Sequence, residues 1–334
     1  MFSKKIAIDL GTANSLVYVS GKGIVLREPT VVAVSSDDEK ILAVGADAKE
    51  MLGKTPEGIV TTRPLKSGVI ADYAVTEALL KYFIDKAIGK TRLFKPDVLI
   101  SIPAGATSVE TRAVIEAAYS AGAKTAFLIP EPLAAAIGVG LPVSEPTGNM
   151  IVNIGGGTTE IAIVSLYGMV AHGSVRVGGN TLDESIIQHI RRKYGLIIGE
   201  GTGEKVKIEI GAAMPMQKEK IMEVKGRDSV SGFPKTITIL SNEIAQILSM
   251  PLSQIALAIK NVLERTPPEL SSDIIDKGIV LSGGTALLKN LDKYITMYTG
   301  VPVHLADDPL LSVVKGLAKV TEHFDIYDKS LIKK

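Results

Sequence analysis

Cysteine is absent from the sequence, which excludes disulfides, thiolate metal sites and cysteine nucleophiles. Histidine is scarce. His172, His189, His304 and His323 stand far apart, at spacings that match no metal-ligand pattern. Aromatic residues make up 4% of the chain and none interleaves with a basic run, so a base-stacking platform for nucleic acid is not expected. Charge of one sign is also missing. The 37 Lys and Arg against 36 Asp and Glu leave a net charge of +1, too little to build a field that attracts nucleic acid. No 18-residue window is uninterruptedly apolar. The richest, 126–143, holds Glu131 and three prolines. Asp9 breaks the only signal-like apolar segment near the start, so a cytoplasmic protein is expected.

What is present is enough for two cores. The chain has 334 residues, and a single core stops growing at roughly 250–300. Ile6, Ile8 and Leu10 alternate with Ala7 and Asp9, small residues turn the chain, and 16–19 runs apolar. That pattern predicts a hairpin with a buried first strand. A helix is expected over 71–88, a buried strand over 97–102, and a capping box at Thr107 and Glu110 opening a helix that ends near Gly122. Residues 127–132 read as a strand running into a Pro-bounded turn, followed by a small-residue helix over 133–140. The polar, turn-rich 141–149 is the hinge candidate. The pattern then starts again at 151–165. A second capping box is expected at Thr181 and Glu184, helices at about 241–265, a strand, Gly turn and helix over 278–291, and a last helix over about 310–323. Strands alternating with helices predict an α/β fold of two lobes, each a mixed β-sheet with flanking helices. Domain I is expected at 1–145 and 310–334, with a small inserted subdomain at about 33–72. Domain II is expected at 146–309, with an insertion at about 182–245.

The repeat carries the chemistry. Asp9-Leu10-Gly11-Thr12-Ala13-Asn14-Ser15 overlies Asn153-Ile154-Gly155-Gly156-Gly157-Thr158-Thr159 at an offset of 144 residues, a duplication at lobe scale. Small residues let backbone N–H groups approach an anion, and Thr12, Asn14, Ser15, Thr158 and Thr159 add short donors. Asp9 cannot bind phosphate, but its charge suits Mg²⁺, usually through water. One such turn taken alone is as well explained by an ordinary tight hairpin. Two matched copies point to a clamp on the phosphates of a nucleoside triphosphate. A third turn, Ser282-Gly283-Gly284-Thr285, ends a strand and opens a helix, a place for a base or an α-phosphate.

These turns, with Glu131-Pro132 between them, resemble the actin-like ATPase superfamily. Within it the chain is most similar to the MreB family of bacterial actins. IDLGTAN, GVIADY, LFKP, EPLAAAIG, GGGTTE, KIEIG, TPPELSSDI and LSGGTALL follow the family's order across the whole chain. The resemblance implies that Gly11, Thr12, Ala13 and Asn14 form the first phosphate loop and Gly155, Gly156, Gly157 and Thr158 the second. It implies that Asp9 is the Mg²⁺-associated acid, that Glu131 orients or deprotonates the attacking water, and that Thr158 assists. Glu204 and Lys207, which on a helix could simply pair with each other, would grip the ribose. Gly283, Gly284 and Thr285 would line the adenine side. The chain departs from the family at Asn153 and Asn180, where Asp is usual, at Thr285 in place of a third Gly, and at Pro130 in place of an acid. Asn153 keeps an acceptor oxygen and loses a charge beside the metal, so ATP hydrolysis is expected to be slow.

Leu93 and Phe94 lie between Lys90, Arg92 and Lys95. The pair reads either as a loop folded onto its own core or as a shallow insertion into an anionic leaflet, and the resemblance favours the second. It further implies self-assembly into paired filaments on the inner face of the cytoplasmic membrane, with cell-wall elongation membrane proteins as partners and a role in rod shape. The alternative is a monomeric actin-fold ATPase of the chaperone or sugar-kinase type. For the chaperone, no substrate-binding segment is evident within the sequence. For the kinase, no sugar pocket with a carboxylate base stands out.

Overall fold

Strands β1 (Lys5–Leu10), β2 (Asn14–Val19) and β3 (Gly23–Pro29) follow one another as an antiparallel meander. Ile6, Ala7, Ile8 and Leu10 are all buried, because helices cover both faces of β1, as is usual where a sheet has parallel neighbours. The computed structural model describes residues 4–38, 40–90 and 94–333. β4 (Asp97–Ile102) pairs parallel with β1, and β5 (Thr125–Pro130) pairs parallel with β4. The sheet order is therefore β5-β4-β1-β2-β3.

The second sheet repeats the first. β6 (Asn149–Ile154), β7 (Thr159–Ser165) and β8 (Gly168–Val175) form the meander, and β9 (Ile279–Ser282) and β10 (Val303–Leu305) add the parallel strands. The order is β10-β9-β6-β7-β8. β1 and β6 lie 144 residues apart at both ends, the offset of the sequence repeat.

Each sheet carries a small unit. Strands Val32–Ser35, Ile41–Val44 and Ile59–Thr62 with the helix Ala46–Met51 stand over the first. Strands Leu196–Ile197, Ile221–Asp228 and Pro234–Leu240 with the helix Glu200–Ile210 stand over the second. Two helices, Glu131–Gly138 and Ser312–Glu322, share a core that includes Ala7 and Leu99 of one sheet and Ile151 and Ala162 of the other. Their contact is unusually close. A Cβ on Gly138 would collide with the Ser312 carbonyl oxygen, and one on Gly316 with that of Ala134. Only residues without a side chain allow that approach.

Local side-chain caps set two helix starts. Thr107 and Glu110 form the expected capping box. The helix predicted from 71 begins at Tyr73, because Asp72 accepts a bond from the Val75 N–H at 3.0 Å and caps it. Two expectations are corrected. Thr181 and Glu184 do not cap a helix. The helix Gly179–Tyr194 starts earlier, since Gly179 N–H and Asn180 N–H donate to the carbonyls of Gly155 and Gly156 at 3.0 and 2.8 Å. Glu184 instead accepts from Gln188. Glu131 is not a turn residue either. Pro130 ends β5, and Glu131 is the first residue of its helix, buried at 8% exposure.

Candidate functional site

The turn after β1 and the turn after β6 face each other at the bottom of a cleft of about 450 Å³. They nearly touch. A Cβ on Gly156 would lie 2.5 Å from the Ala13 Cβ, and one on Gly157 would lie 2.6 Å from Thr12 Oγ1. Glycine is required at both positions because the opposite lobe occupies the side-chain space. The cleft is lined by Asp9, Gly11, Thr12, Ala13, Asn14, Glu131, Asn153, Gly155, Gly156, Gly157, Thr158, Glu204, Lys207, Gly283, Gly284 and Thr285. These predicted nucleotide and metal residues therefore lie in one place.

Two predicted donors are not there. The Ser15 hydroxyl is buried and shares a 2.9 Å hydrogen bond with Thr30, whose own hydroxyl donates to the Gly11 carbonyl at 2.7 Å. Thr159 is equally buried and donates to the Val177 carbonyl at 2.8 Å. Both point away from the cleft and fix the backbone of their turns. The strand's alternation explains this: one residue past each turn the side chain reverses face.

The floor is acidic. Asp9 accepts a hydrogen bond from Ser101 at 3.0 Å, and burial pushes its carboxyl up to about 6. Glu131 is raised well above the usual carboxylate range, first by burial and then by the charges of Glu160 and Asp9. Glu160 is fully buried on β7, paired across the ladder with Asn153. It accepts from the Ala104 N–H at 3.0 Å and the Ser174 hydroxyl at 2.7 Å. Burial raises it, and its bonds to Ser174, Ala104 and Thr158 work against that rise. Asn153 is held between these acids. Its amide Nδ2 donates to Glu131 at 3.4 Å, while Ser282 donates to its Oδ1 at 3.0 Å.

The buried Glu131 and Glu160 and the half-buried Asp9, with no cation paired to them among the described residues, suit a divalent ion. Among the described residues no three acids or histidines are placed to hold a metal by themselves. The donor set therefore fits an ion that draws most of its ligands from phosphate and water, with Asp9 and the Asn153 oxygen at its side.

The rim binds differently. Glu204 and Lys207 do not pair with each other. Lys207 lies 2.8 Å from Asp183 Oδ1 and donates to the Gly179 carbonyl at 3.0 Å. Glu204 accepts from Lys49 at 2.9 Å across the cleft. Gly283, at φ +86°, packs against the Ile154 backbone, and Thr285 donates to the Gly155 carbonyl at 2.8 Å. The tip of a short hairpin (Leu65–Lys66 and Val69–Ile70) also reaches the floor, where Gly68 N–H donates to Thr12 Oγ1 at 2.9 Å. Asp183, Ser101 and Gly68 were not singled out from sequence, and Ser282 was named only as part of the third turn. Glu160 carried a signal, an acid directly before the apolar run IAIV. Away from the cleft, Phe94 is 54% exposed. Leu93 lies outside the described residues.

Residues 3–329 match the family model described as MreB/Mbl protein. The cell shape-determining protein MreB of Escherichia coli (strain K12) is 51% identical over 99% of this chain and 97% of its own length. The crystal structure of MreB 5 of Spiroplasma citri bound to AMPPNP aligns with TM-score 0.93 and 37% identity, covering 98% of this chain and 99% of that one. The same protein bound to ADP aligns with TM-score 0.92 and 38% identity, covering 98% of each chain.

Proposed function

Because the chain belongs to the MreB/Mbl family, we propose that it binds ATP with Mg²⁺ in this cleft, hydrolyses it slowly, and polymerises into membrane-associated filaments that organise cell-wall synthesis and rod shape. The observation that carries the reading is the meeting of the two glycine turns on one cavity. A relative bound to AMPPNP and to ADP, and another named for cell shape, support it. The lobes are assigned as 1–145 with 310–334, and 146–309.

The backbone N–H groups of Gly11 to Asn14 and of Gly156 to Thr158 hold the phosphates from the two lobes, while the Gly155 N–H closes its own turn onto the Thr158 carbonyl at 2.8 Å. Glu204 and Lys207 take the ribose hydroxyls, and Gly283, Gly284 and Thr285 line the base. Mg²⁺ beside Asp9, with Asn153 reached through water, would offset the phosphate charge. Glu131 accepts a proton from the attacking water, with Thr158 helping to place that water. The new bond forms between water oxygen and the γ-phosphorus, and the bond to the β–γ bridging oxygen breaks, releasing ADP and phosphate. A carboxylate raised by burial is a better base than a solvated one, and its position at a helix start, between two prolines, restrains it. In Glu131→Gln, steady-state phosphate release is expected to fall by about 10²-fold or more while calorimetric ATP affinity stays within a few fold. Unchanged release would assign the base elsewhere.

Membrane contact is assigned to Leu93 and Phe94. No helix among the described residues is long and apolar enough to cross a bilayer, and the exposed Phe94 suits peripheral contact. Co-sedimentation with anionic liposomes should drop to background in Leu93→Ser/Phe94→Ser. Undiminished binding would reject the loop.

A further inference from the structure

Lys49 stands on the lobe opposite Glu204, and its ammonium crosses the cleft to the Glu204 carboxylate at 2.9 Å. Its placement is not that of a loose surface side chain. The helix that carries it, Ala46–Met51, is tied to the first sheet at its start. Glu28 on β3 accepts from the Ala46 N–H at 3.1 Å and is itself paired with Lys86 at 2.9 Å. A Cβ on Gly45 would collide with that Glu28 carboxylate, so the glycine lets the contact form. A chain of polar contacts therefore runs from the first lobe to Lys49 and on to Glu204 of the second.

Glu204 uses only one oxygen there. Oε2 receives Lys49, and Oε1 has no hydrogen-bond partner among the described residues. Glu204 also lines the cleft, one helical turn before Lys207 on the same face. Lys207 is fixed too, by Asp183 and the Gly179 carbonyl. An acceptor with one oxygen anchored and the other open is set to receive a vicinal diol, since its rotamer freedom is already spent.

We propose that Lys49 is a positioning residue for the nucleotide: it holds the Glu204 carboxylate for the ribose hydroxyls and so makes sugar recognition depend on both lobes. The inference rests on the reading of Glu204 as a ribose contact. Lys49 touches no part of the nucleotide itself. Arg63 crosses at the same rim to Glu200 at 3.4 Å, but Glu200 is not among the residues lining the cleft, so that pair brings the lobes together without meeting the sugar.

The test is calorimetric titration of the full chain with Mg²⁺ and either ATP or 2′,3′-dideoxy-ATP. Wild type should prefer ATP. Lys49→Met should shrink that preference by roughly two- to fivefold, the range expected of a partly exposed ion pair, with dideoxy-ATP binding unchanged. Lys49→Arg, which keeps the charge, should restore part of it. Equal weakening for both nucleotides in Lys49→Met would mean that the pair acts on closure alone and would overturn the proposal, as would an unchanged preference. If wild type itself does not distinguish the two nucleotides, the ribose reading of Glu204 fails and the Lys49 proposal falls with it. Arg63→Met serves as the comparison, and its ratio should equal that of wild type.

Discussion

At the scale of single residues, the site shows a charge moved across a ladder. Asp9 on β1 faces Leu16 on β2, whereas Asn153 on β6 faces Glu160 on β7. Each hairpin thus holds one carboxylate at this rung. An Asp at 153 would stand against Glu131, in place of the amide that now donates to it, and within the same floor as Glu160. Asn153→Asp therefore has two expected effects. Without ligand it should lower stability at pH 7 by about 1–3 kcal/mol, because a buried donor is replaced by a like charge. With Mg²⁺ and ATP, steady-state phosphate release should rise. An unchanged rate would remove the argument that this asparagine slows the enzyme. Asp9 predicts a pH dependence whose sign is opposite to that of a salt-bridged acid. Its folded pKa of about 6 exceeds the usual 3.8, so the native state binds the extra proton. Stability without ligand is then greatest below pH 4 for this group and falls as pH rises through 6. Asp9→Asn should raise the ligand-free melting free energy at pH 7 by on the order of 2 kcal/mol and leave it unchanged near pH 4. Thermal unfolding at the two pH values, without nucleotide or Mg²⁺, measures both.

At the scale of elements, the helix that begins with Glu131 is positioned by its neighbour. Gly138 and Gly316 let the helices Glu131–Gly138 and Ser312–Glu322 pack backbone to backbone. Gly316→Ala forces them apart and should cost about 1–3 kcal/mol in thermal or denaturant unfolding. Phosphate release should fall as well, since Glu131 moves with its helix. This coupling was not legible in the sequence, where 133–140 reads only as a run of small residues and its partner lies nearly two hundred positions away. The repeated hairpins were legible, because each turn's requirement for small residues is local and the two copies confirm each other. Thr107 with Glu110 was legible for the same reason. Thr181 with Glu184 misled, since the true helix start is set by carbonyls of the second turn, a contact that no local pattern records. Ser15 and Thr159 misled in the same way: their type suits a phosphate donor, but the strand's alternation turns them inward. The partners of Glu204 and Lys207 were hidden because both come from elements distant in sequence, Lys49 from the opposite lobe and Asp183 from another helix.

For the whole molecule, two sheets of the same topology meet at a shared core and open on one cleft. A ligand that touches both turns would tie the lobes together, and the proposed filament needs a heterologous contact between such units whose rotation does not close into a ring. Filaments should therefore be seen by light scattering, sedimentation and electron microscopy with ATP and Mg²⁺, and be sparse without nucleotide. A non-polymerising protein under all conditions would return the choice to a monomeric ATPase. The clamp depends on Gly156, because its missing side chain is where the opposite turn fits. Calorimetric titration of wild type and Gly156→Val with ATP and Mg²⁺ is the measurement. The account predicts one site per chain in wild type and a loss of at least about tenfold in affinity in the variant, a difference of 1.4 kcal/mol or more, with the variant still folded by circular dichroism. A folded Gly156→Val chain that binds ATP as tightly as wild type would contradict it.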